Sequence, residues 1–251
     1  MSGHSKWSTI KRQKGVADIK KGLTFTKLAN AITLVAKLTN SGDPNSNPRL
    51  RTILEEAREV NMPKENIQRA IDRGLGNLPG QIIEEVTYEG FGPAKVAFYI
   101  EGVTDNKLRT LQEIKNLFER SGGSLGSQGS TSYMFDKKGE IRVKSKGGSK
   151  DDEMLELIDL GAGDVEEFEE DNIQKYLVYV ESPELNTMSI NITQAGFVVE
   201  SAAIVFKPNI LTEVTDKENA QKVLEFTGKL EEHDDIQKVF ANFDIPDNLL
   251  D

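Results

Sequence analysis

The chain has 251 residues, 37% of them hydrophobic and 29% charged, with a net charge of −10. This is a globular composition, and no apolar run approaches the roughly 18 residues that a membrane-spanning helix needs. Without cysteine and with only two histidines, the chain is excluded from disulfide chemistry and from zinc centres of the usual Cys/His kind, and no cofactor or metal is expected. The net charge conceals a division along the chain. Residues 1–75 carry 14 Lys or Arg against 7 Asp or Glu, a net of +7, whereas residues 76–251 carry 17 against 34, a net of −17. One end attracts a polyanion and the remainder repels it.

Residues 1–15 are polar and basic with no usable period, and they are expected to form an arm. The lysines are followed by no apolar stretch of secretory type, so a cytoplasmic protein is expected. From Val16 to Thr39 the apolar positions Leu23, Leu28, Ile32 and Val35 recur mostly at three or four, the spacing of one helix face. Asn47 then stands as an N-cap before Pro48, and Leu50, Ile53, Leu54, Ala57 and Val60 form the stripe of a second helix. Pro63 opens a third, closed by Gly74. Three short amphipathic helices bury their stripes against one another, which predicts a bundle over residues 16–80.

Beyond Pro79 the period changes to two. Strands are expected at 83–89 and 95–100, a helix at 107–120 and a strand at 130–135. Residues 137–206 read as a complete β-α-β-β-α-β, the ferredoxin-like arrangement. The tail adds a short strand near 210–214, a helix at 217–230 and a strand at 236–243, and cannot bury a core alone. It is expected to complete residues 81–136, giving a discontinuous domain of 81–136 plus 207–251 with 137–206 inserted. The fold class is therefore α+β: an N-terminal three-helix bundle followed by two ferredoxin-like α/β domains, one inserted in the other.

Gly122-Gly123-Ser124-Leu125-Gly126 matches the G-x-S-x-G nucleophile elbow, but an elbow needs a strand before and a helix after, and here the order is reversed. The glycines of 122–129 also offer backbone N–H groups to an anion. The acidic run of Glu166, Glu167, Glu169, Glu170 and Asp171 lacks the oxygen spacing of a calcium loop and reads as a solvated face. What remains is the arm. Gly3-His4-Ser5-Lys6-Trp7 combines a cation, an imidazole and an indole that can stack on bases, and Lys11, Arg12 and Lys14 follow. Lys20 and Lys21 extend the basic stretch, and Arg49 and Arg51 open the second helix as candidate phosphate contacts. The competing reading folds Trp7 back onto the bundle and leaves the lysines solvated.

These residues resemble the YebC/PmpR family over essentially the whole chain. Besides Gly3 to Trp7, the resemblance rests on Asn47-Pro48-Arg49-Leu50-Arg51, Asn61-Met62-Pro63-Lys64-Glu65-Asn66-Ile67 and Tyr88-Glu89-Gly90-Phe91-Gly92-Pro93. It continues through Tyr133-Met134-Phe135 to Asn242-Phe243-Asp244-Ile245-Pro246. Leu108, and Ser127 with Gln128, depart from the usual pattern. The resemblance implies three domains around a cleft and no catalysis. Family members are described both as DNA-binding transcriptional regulators and as ribosome-associated translation factors, including a mitochondrial translational activator. No helix-turn-helix pair with base-reading side chains is apparent, so ribosomal RNA is the favoured partner and promoter DNA the alternative. The resemblance implies that Gly3 to Trp7 reach the peptidyl-transferase region, where they assist slow peptide bonds. The protein is expected to be a non-enzymatic monomer; a small-molecule-binding or hydrolytic use of the cleft is the third class.

Overall fold

A computed structural model describes residues 17–78, 82–170 and 172–249. The expected arm lies outside them. Helix α1 (Ala17–Thr39), α2 (Pro48–Glu59) and α3 (Lys64–Gly74) form the predicted bundle. Asn47 caps α2, accepting from the Leu50 N–H at 3.1 Å, and its amide nitrogen donates to Thr39 Oγ1 at 2.7 Å, so one residue ties the start of α2 to the end of α1. The apolar stripes meet in a core of Ile32, Val35, Leu50, Leu54, Ala57, Met62, Ala70 and Ile71. Gly74 acts otherwise than as the expected left-handed stop, which is Gly76 at φ 75°. A Cβ on Gly74 would lie 2.4 Å from the Thr33 carbonyl oxygen and 2.8 Å from Ala36 Cβ; its absence lets α3 press against α1.

The first sheet comprises β1 (Glu84–Phe91), β2 (Ala97–Thr104), β3 (Ser124–Leu125) and β9 (Ile236–Ala241), in the order β3-β1-β2-β9. Helix α4 (Lys107–Arg120) joins β2 to β3, and α7 (Lys217–Glu231) precedes β9. Read from β2, this is the ferredoxin-like strand order, except that β1 holds the third position while entering the chain first as a hairpin with β2. Phe98 on β2 meets Phe118 of α4 and Phe226 of α7 edge to face, with centroids 6.2 and 5.0 Å away, so both helices cover one face. The strand expected at 130–135 is not there. Ser132–Met134 is a turn of 3-10 helix, and the edge strand is β3. The alternation misleads because Thr131 is buried for a polar reason, its hydroxyl donating to the Phe98 carbonyl at 2.9 Å.

The second sheet comprises β4 (Phe135–Lys144), β5 (Asp164–Glu170), β6 (Ile173–Glu181) and β7 (Val198–Pro208), in the order β5-β6-β4-β7 and antiparallel throughout. Helices α5 (Lys150–Asp159) and α6 (Leu185–Gln194) complete the ferredoxin-like β-α-β-β-α-β. Its core joins Ile141, Val143, Tyr176, Val178 and Val180 to Leu157 and Ile192. The strand expected at 210–214 shrinks to β8 (Thr212–Glu213), which pairs in parallel with β10 (Phe243–Asp244) instead of joining the first sheet.

By contacts the described chain separates into two compact units. One holds 17–131 with 215–239 and 247–249; the other holds 132–214 with 240–246. The bundle thus shares a unit with the first sheet: Lys37 Nζ donates to the Ile83 carbonyl at 2.8 Å and Lys27 Nζ to that of Glu231 at 2.6 Å, while Leu34, Ile83 and Val103 form a small core.

In the second unit Glu153, 3% exposed, accepts from the N–H groups of Lys146 and Gly148 and from the Tyr176 hydroxyl, at 3.0, 2.8 and 2.9 Å. Burial alone would raise its pKa, but hydrogen bonds from Ser145, Gly148, Tyr176 and Lys146 outweigh it and the net shift is downward. Its ionised form therefore contributes stability at neutral pH that is lost as pH falls below the unfolded-state value of about 4.3. Glu153→Gln should cost about 1–3 kcal/mol near pH 7 in urea unfolding. The gap from the parent should close as pH drops through about 4; a gap constant with pH would show that the charge contributes nothing.

Candidate nucleic-acid interface

Of the basic residues proposed from sequence, Gly3, His4, Ser5, Lys6, Trp7, Lys11, Arg12 and Lys14 precede the described residues. Lys20 and Lys21 lie on the α1 backbone, with side chains outside the description. Arg49 is exposed at the second position of α2, its guanidinium 4.0 Å from Glu85 with both side chains more than half exposed; a pair so exposed leaves the cation open to a phosphate. Arg51 is committed differently. Its Nε and Nη2 donate to the carbonyls of Pro44 and Asn45 at 3.1 and 3.2 Å, clamping the α1–α2 connection. Arg58, Lys64 and Arg69 are also exposed on α2 and α3, Arg58 nine residues on from Arg49 and so on the opposite side of α2.

The glycine loop after α4 already holds an anion of its own. Glu89, 3% exposed, accepts from the N–H groups of Gly129 and Thr131 at 2.9 and 2.8 Å. A carboxylate of the chain thus occupies the donors that an external anion would use. Ser124 sits on edge strand β3 after a helix, the wrong order for an elbow.

The second sheet bears Phe168 and Tyr179 on the face opposite its helices, where a ferredoxin-like RNA binder displays stacking aromatics. Both rings are capped. Arg142 lies 4.3 Å from the Phe168 centroid and Lys207 Nζ 3.7 Å from that of Tyr179. The same two cations bind the acidic strand, Arg142 reaching Glu170 at 3.0 Å and Lys207 reaching Glu166 at 2.9 Å, and Lys175 joins them at 2.7 Å from Glu170. The run of acids at 166–170 is a cross-strand ion-pair ladder more than a solvated face.

Within the first unit a cleft of about 850 Å³ opens between α1, α3, α4 and the α7–β9 connection. Asp235, 7% exposed, anchors one wall, its Oδ2 accepting from Thr110 Oγ1 at 2.6 Å, Arg109 Nη2 at 2.7 Å and Thr104 Oγ1 at 3.1 Å. Burial pushes its pKa up, but the bonds from Thr110 and Arg109, with the Arg109 charge and Thr104, outweigh this and hold it down. Tyr88, buried beside this charge, is pushed up to about 12 by desolvation and then by Asp235. Glu113, His233 and Asp235 bring three ligand-type atoms within 4.8 Å of one another. His233 Nδ1 accepts from the Asp235 N–H at 3.1 Å, and its Nε2 lies 3.0 Å from Glu113. That tautomer directs a proton at Glu113, so both imidazole nitrogens are engaged within the set and the ring offers no lone pair to a metal. Sequence reasoning missed the cluster because Asp235 lies more than 120 residues from both Thr104 and Arg109.

Residues 5–77 match the family model described as the TACO1/YebC protein N-terminal domain, and residues 83–243 match that of the TACO1/YebC second and third domain. The chain belongs to the TACO1/YebC family. A probable transcriptional regulatory protein of Chlorobaculum tepidum is 45% identical over 100% of this chain and 98% of its own length. One of Fusobacterium nucleatum is also 45% identical, over 100% and 99%. The crystal structure of a conserved hypothetical protein from Aquifex aeolicus aligns with a TM-score of 0.79 at 40% identity, covering 93% of this chain and 95% of that one. Among the described residues of this family member no helix is long and apolar enough to cross a membrane.

The Asp235 set should behave as structure. Asp235→Ala, which strips a buried partner from Arg109 and two threonines, should lower unfolding stability by about 3 kcal/mol. Glu113→Ala, at an exposed pair, should change it by less than about 1 kcal/mol. Equal costs in denaturant titrations would contradict this division of the cleft.

Proposed function

We propose that this protein is a cytoplasmic, monomeric, non-enzymatic regulator of gene expression that grips structured RNA on the ribosome through its basic arm and bundle, where it assists slow peptide-bond formation. The observation that carries the reading is the charge division, +7 over residues 1–75 against −17 over the rest. Only the N-terminal part attracts a polyanion, and the acidic sheets restrict how it docks. Two structural features support it. The sheet aromatics Phe168 and Tyr179 are capped by Arg142 and Lys207, and the glycine loop is filled by Glu89, which takes both from the surfaces open to nucleic acid. Trp7 is the stacking candidate, with Lys6, Lys11, Arg12 and Lys14 as phosphate contacts and Arg49 as a contact from the bundle.

The alternative, a promoter-binding transcriptional regulator, has two specific supports. Relatives at 45% identity bear the name probable transcriptional regulatory protein. In addition, contrary to the expectation from sequence that no helix-turn-helix pair is apparent, α2 and α3 are joined by the four residues 60–63, and α3 exposes Lys64, Gln68 and Arg69, side chains of base-reading type. Low-salt ribosome co-sedimentation against duplex-DNA binding separates the two readings, and Arg69→Ala should impair the second only.

Stacking and charge leave different signatures in one salt titration with single-stranded RNA. Trp7→Ala should cost about 1–3 kcal/mol of binding with the salt slope unchanged. Lys6→Ala should cost less and make the slope shallower by about 0.7. A Trp7→Ala protein that melts earlier yet binds normally when folded would make the tryptophan a packing residue and remove the central contact.

A further inference from the structure

The cleft of the first unit has no part in the reading above, and most of its charge is already committed to its own walls. Arg73 faces Asp105 at 3.5 Å, and Arg109 faces Asp105 at 3.3 Å and Asp235 at 2.7 Å. His233 Nε2 lies 3.0 Å from Glu113. The lining side chains left over are few. Among the described residues Arg120, Glu232, Asp234, Asn30 and Asn116 line the cleft with side chains that have no partner, and all but the half-buried Asn30 are exposed. The volume of about 850 Å³ is that of a ligand site and exceeds what one amino acid fills.

These groups form two poles. Glu232 and Asp234 flank His233, which sits against Glu113 of α4. Arg120 lies seven residues beyond Glu113 on the same helix, about 10 Å at about 1.5 Å per residue. Positions 113, 116, 117 and 120 all line the cleft, the spacing of one helix face, so Asn116 stands between the poles. Asn30 joins it from α1. An amide side chain both donates and accepts, as a peptide bond does. An extended chain covers about 10 Å in about three residues. An internal carbonyl would leave the Arg120 charge unneutralised, whereas a carboxylate matches its fork. We propose that this cleft docks the C-terminal segment of a partner protein. Arg120 takes the terminal carboxylate, Glu232 and Asp234 take a Lys or Arg side chain about three residues before it, and Asn30 and Asn116 pair with the peptide bonds between. No residue proposed above for nucleic acid lines the cleft, so the docking stands apart from the RNA reading.

The probe is the acetylated hexapeptide Ala-Ala-Arg-Ala-Ala-Ala with a free carboxylate, whose zero net charge removes general attraction to the acidic body. Added to the full-length protein at low ionic strength, it should saturably shift the backbone resonances of His233 and Asp234 and the side-chain amides of Asn30 and Asn116. Amidating its C-terminus should weaken binding about two- to five-fold, the scale of one exposed ion pair, and Arg120→Ala should abolish that preference. Replacing its arginine by glutamine should weaken binding by a similar factor, and the double variant Glu232→Gln, Asp234→Asn should abolish that preference in turn. All three side chains are exposed, so the variants should melt with the parent; the two peptide comparisons need no change in the protein and decide the matter if a variant melts early. Absence of a saturable shift at millimolar peptide, shifts confined to residues outside the cleft, or a preference that survives its matching variant overturns the docking. Equal shifts from free arginine at the same concentration would assign the cleft to an amino acid and overturn the peptide.

Discussion

The arrangement of the first unit depends on one residue, Asp235, at the point where the chain returns after the second sheet. Its backbone carbonyl accepts from the Val103 N–H at 2.7 Å, and its carboxylate is held by Thr104, Thr110 and Arg109. This joins the start of β9 to the end of β2 and the first turns of α4 in a single hydrogen-bonded knot. Gly102 makes room for it: a Cβ there would lie 2.7 Å from the Asp235 carbonyl oxygen. The knot adds to the ladder of β9 on β2, to the Lys27 bond on the Glu231 carbonyl and to the apolar contacts of Phe226, the last of which are non-directional. A buried carboxylate with three donors sets register as well as adhesion.

The second unit applies the same physics to a surface. A sheet needs both faces accounted for, and here the face away from the helices is covered by long cations, two of them laid over aromatic rings, that are paired with acids on other strands. Lys175 bridges Glu170 and Glu200 at 2.7 and 2.6 Å. The aliphatic stems of such side chains bury apolar area while their heads remain paired. The functional consequence follows from the packing. A fold that elsewhere offers stacking rings to RNA here spends Phe168 and Tyr179 on cation contacts.

The parts foreseen from sequence are those specified by neighbours in the chain. Asn47 followed by Pro48 announces a capped helix start, and the alternation in 137–206 gives the inserted β-α-β-β-α-β, because caps and periods are local. What escaped depends on distant partners. Glu89 reads as one more polar residue of a strand, and only the folded chain brings Gly129 and Thr131 to it. Ser132–Met134 imitates a strand because Thr131 and Phe135 are both buried, one by hydrogen bonds and the other by packing. Arg51 looks like Arg49 in sequence, yet one clamps a turn and the other stands free of backbone contacts. The cleft was invisible for the same reason, since its walls come from α1, α3, α4 and the α7–β9 connection.

An acidic body bearing a basic head poses an electrostatic problem that ionic strength resolves. At physiological salt the Debye length is about 8 Å, so the acids of the two sheets act only on what lies nearly against them. On the function proposed above, a polyanion held by the N-terminal part would feel repulsion only where its backbone runs close to the sheets. The same charges that fail to weaken binding in bulk then select among orientations, rejecting those that lay a phosphate chain over the acidic faces. Near 0.01 M salt the screening length grows to about 30 Å, and the repulsion reaches across the molecule. Affinity gained by the head at low salt is then partly offset by the body. On that reading the net salt slope would understate the number of phosphates the head contacts, and counting contacts from it would require the body's opposing charge to be included.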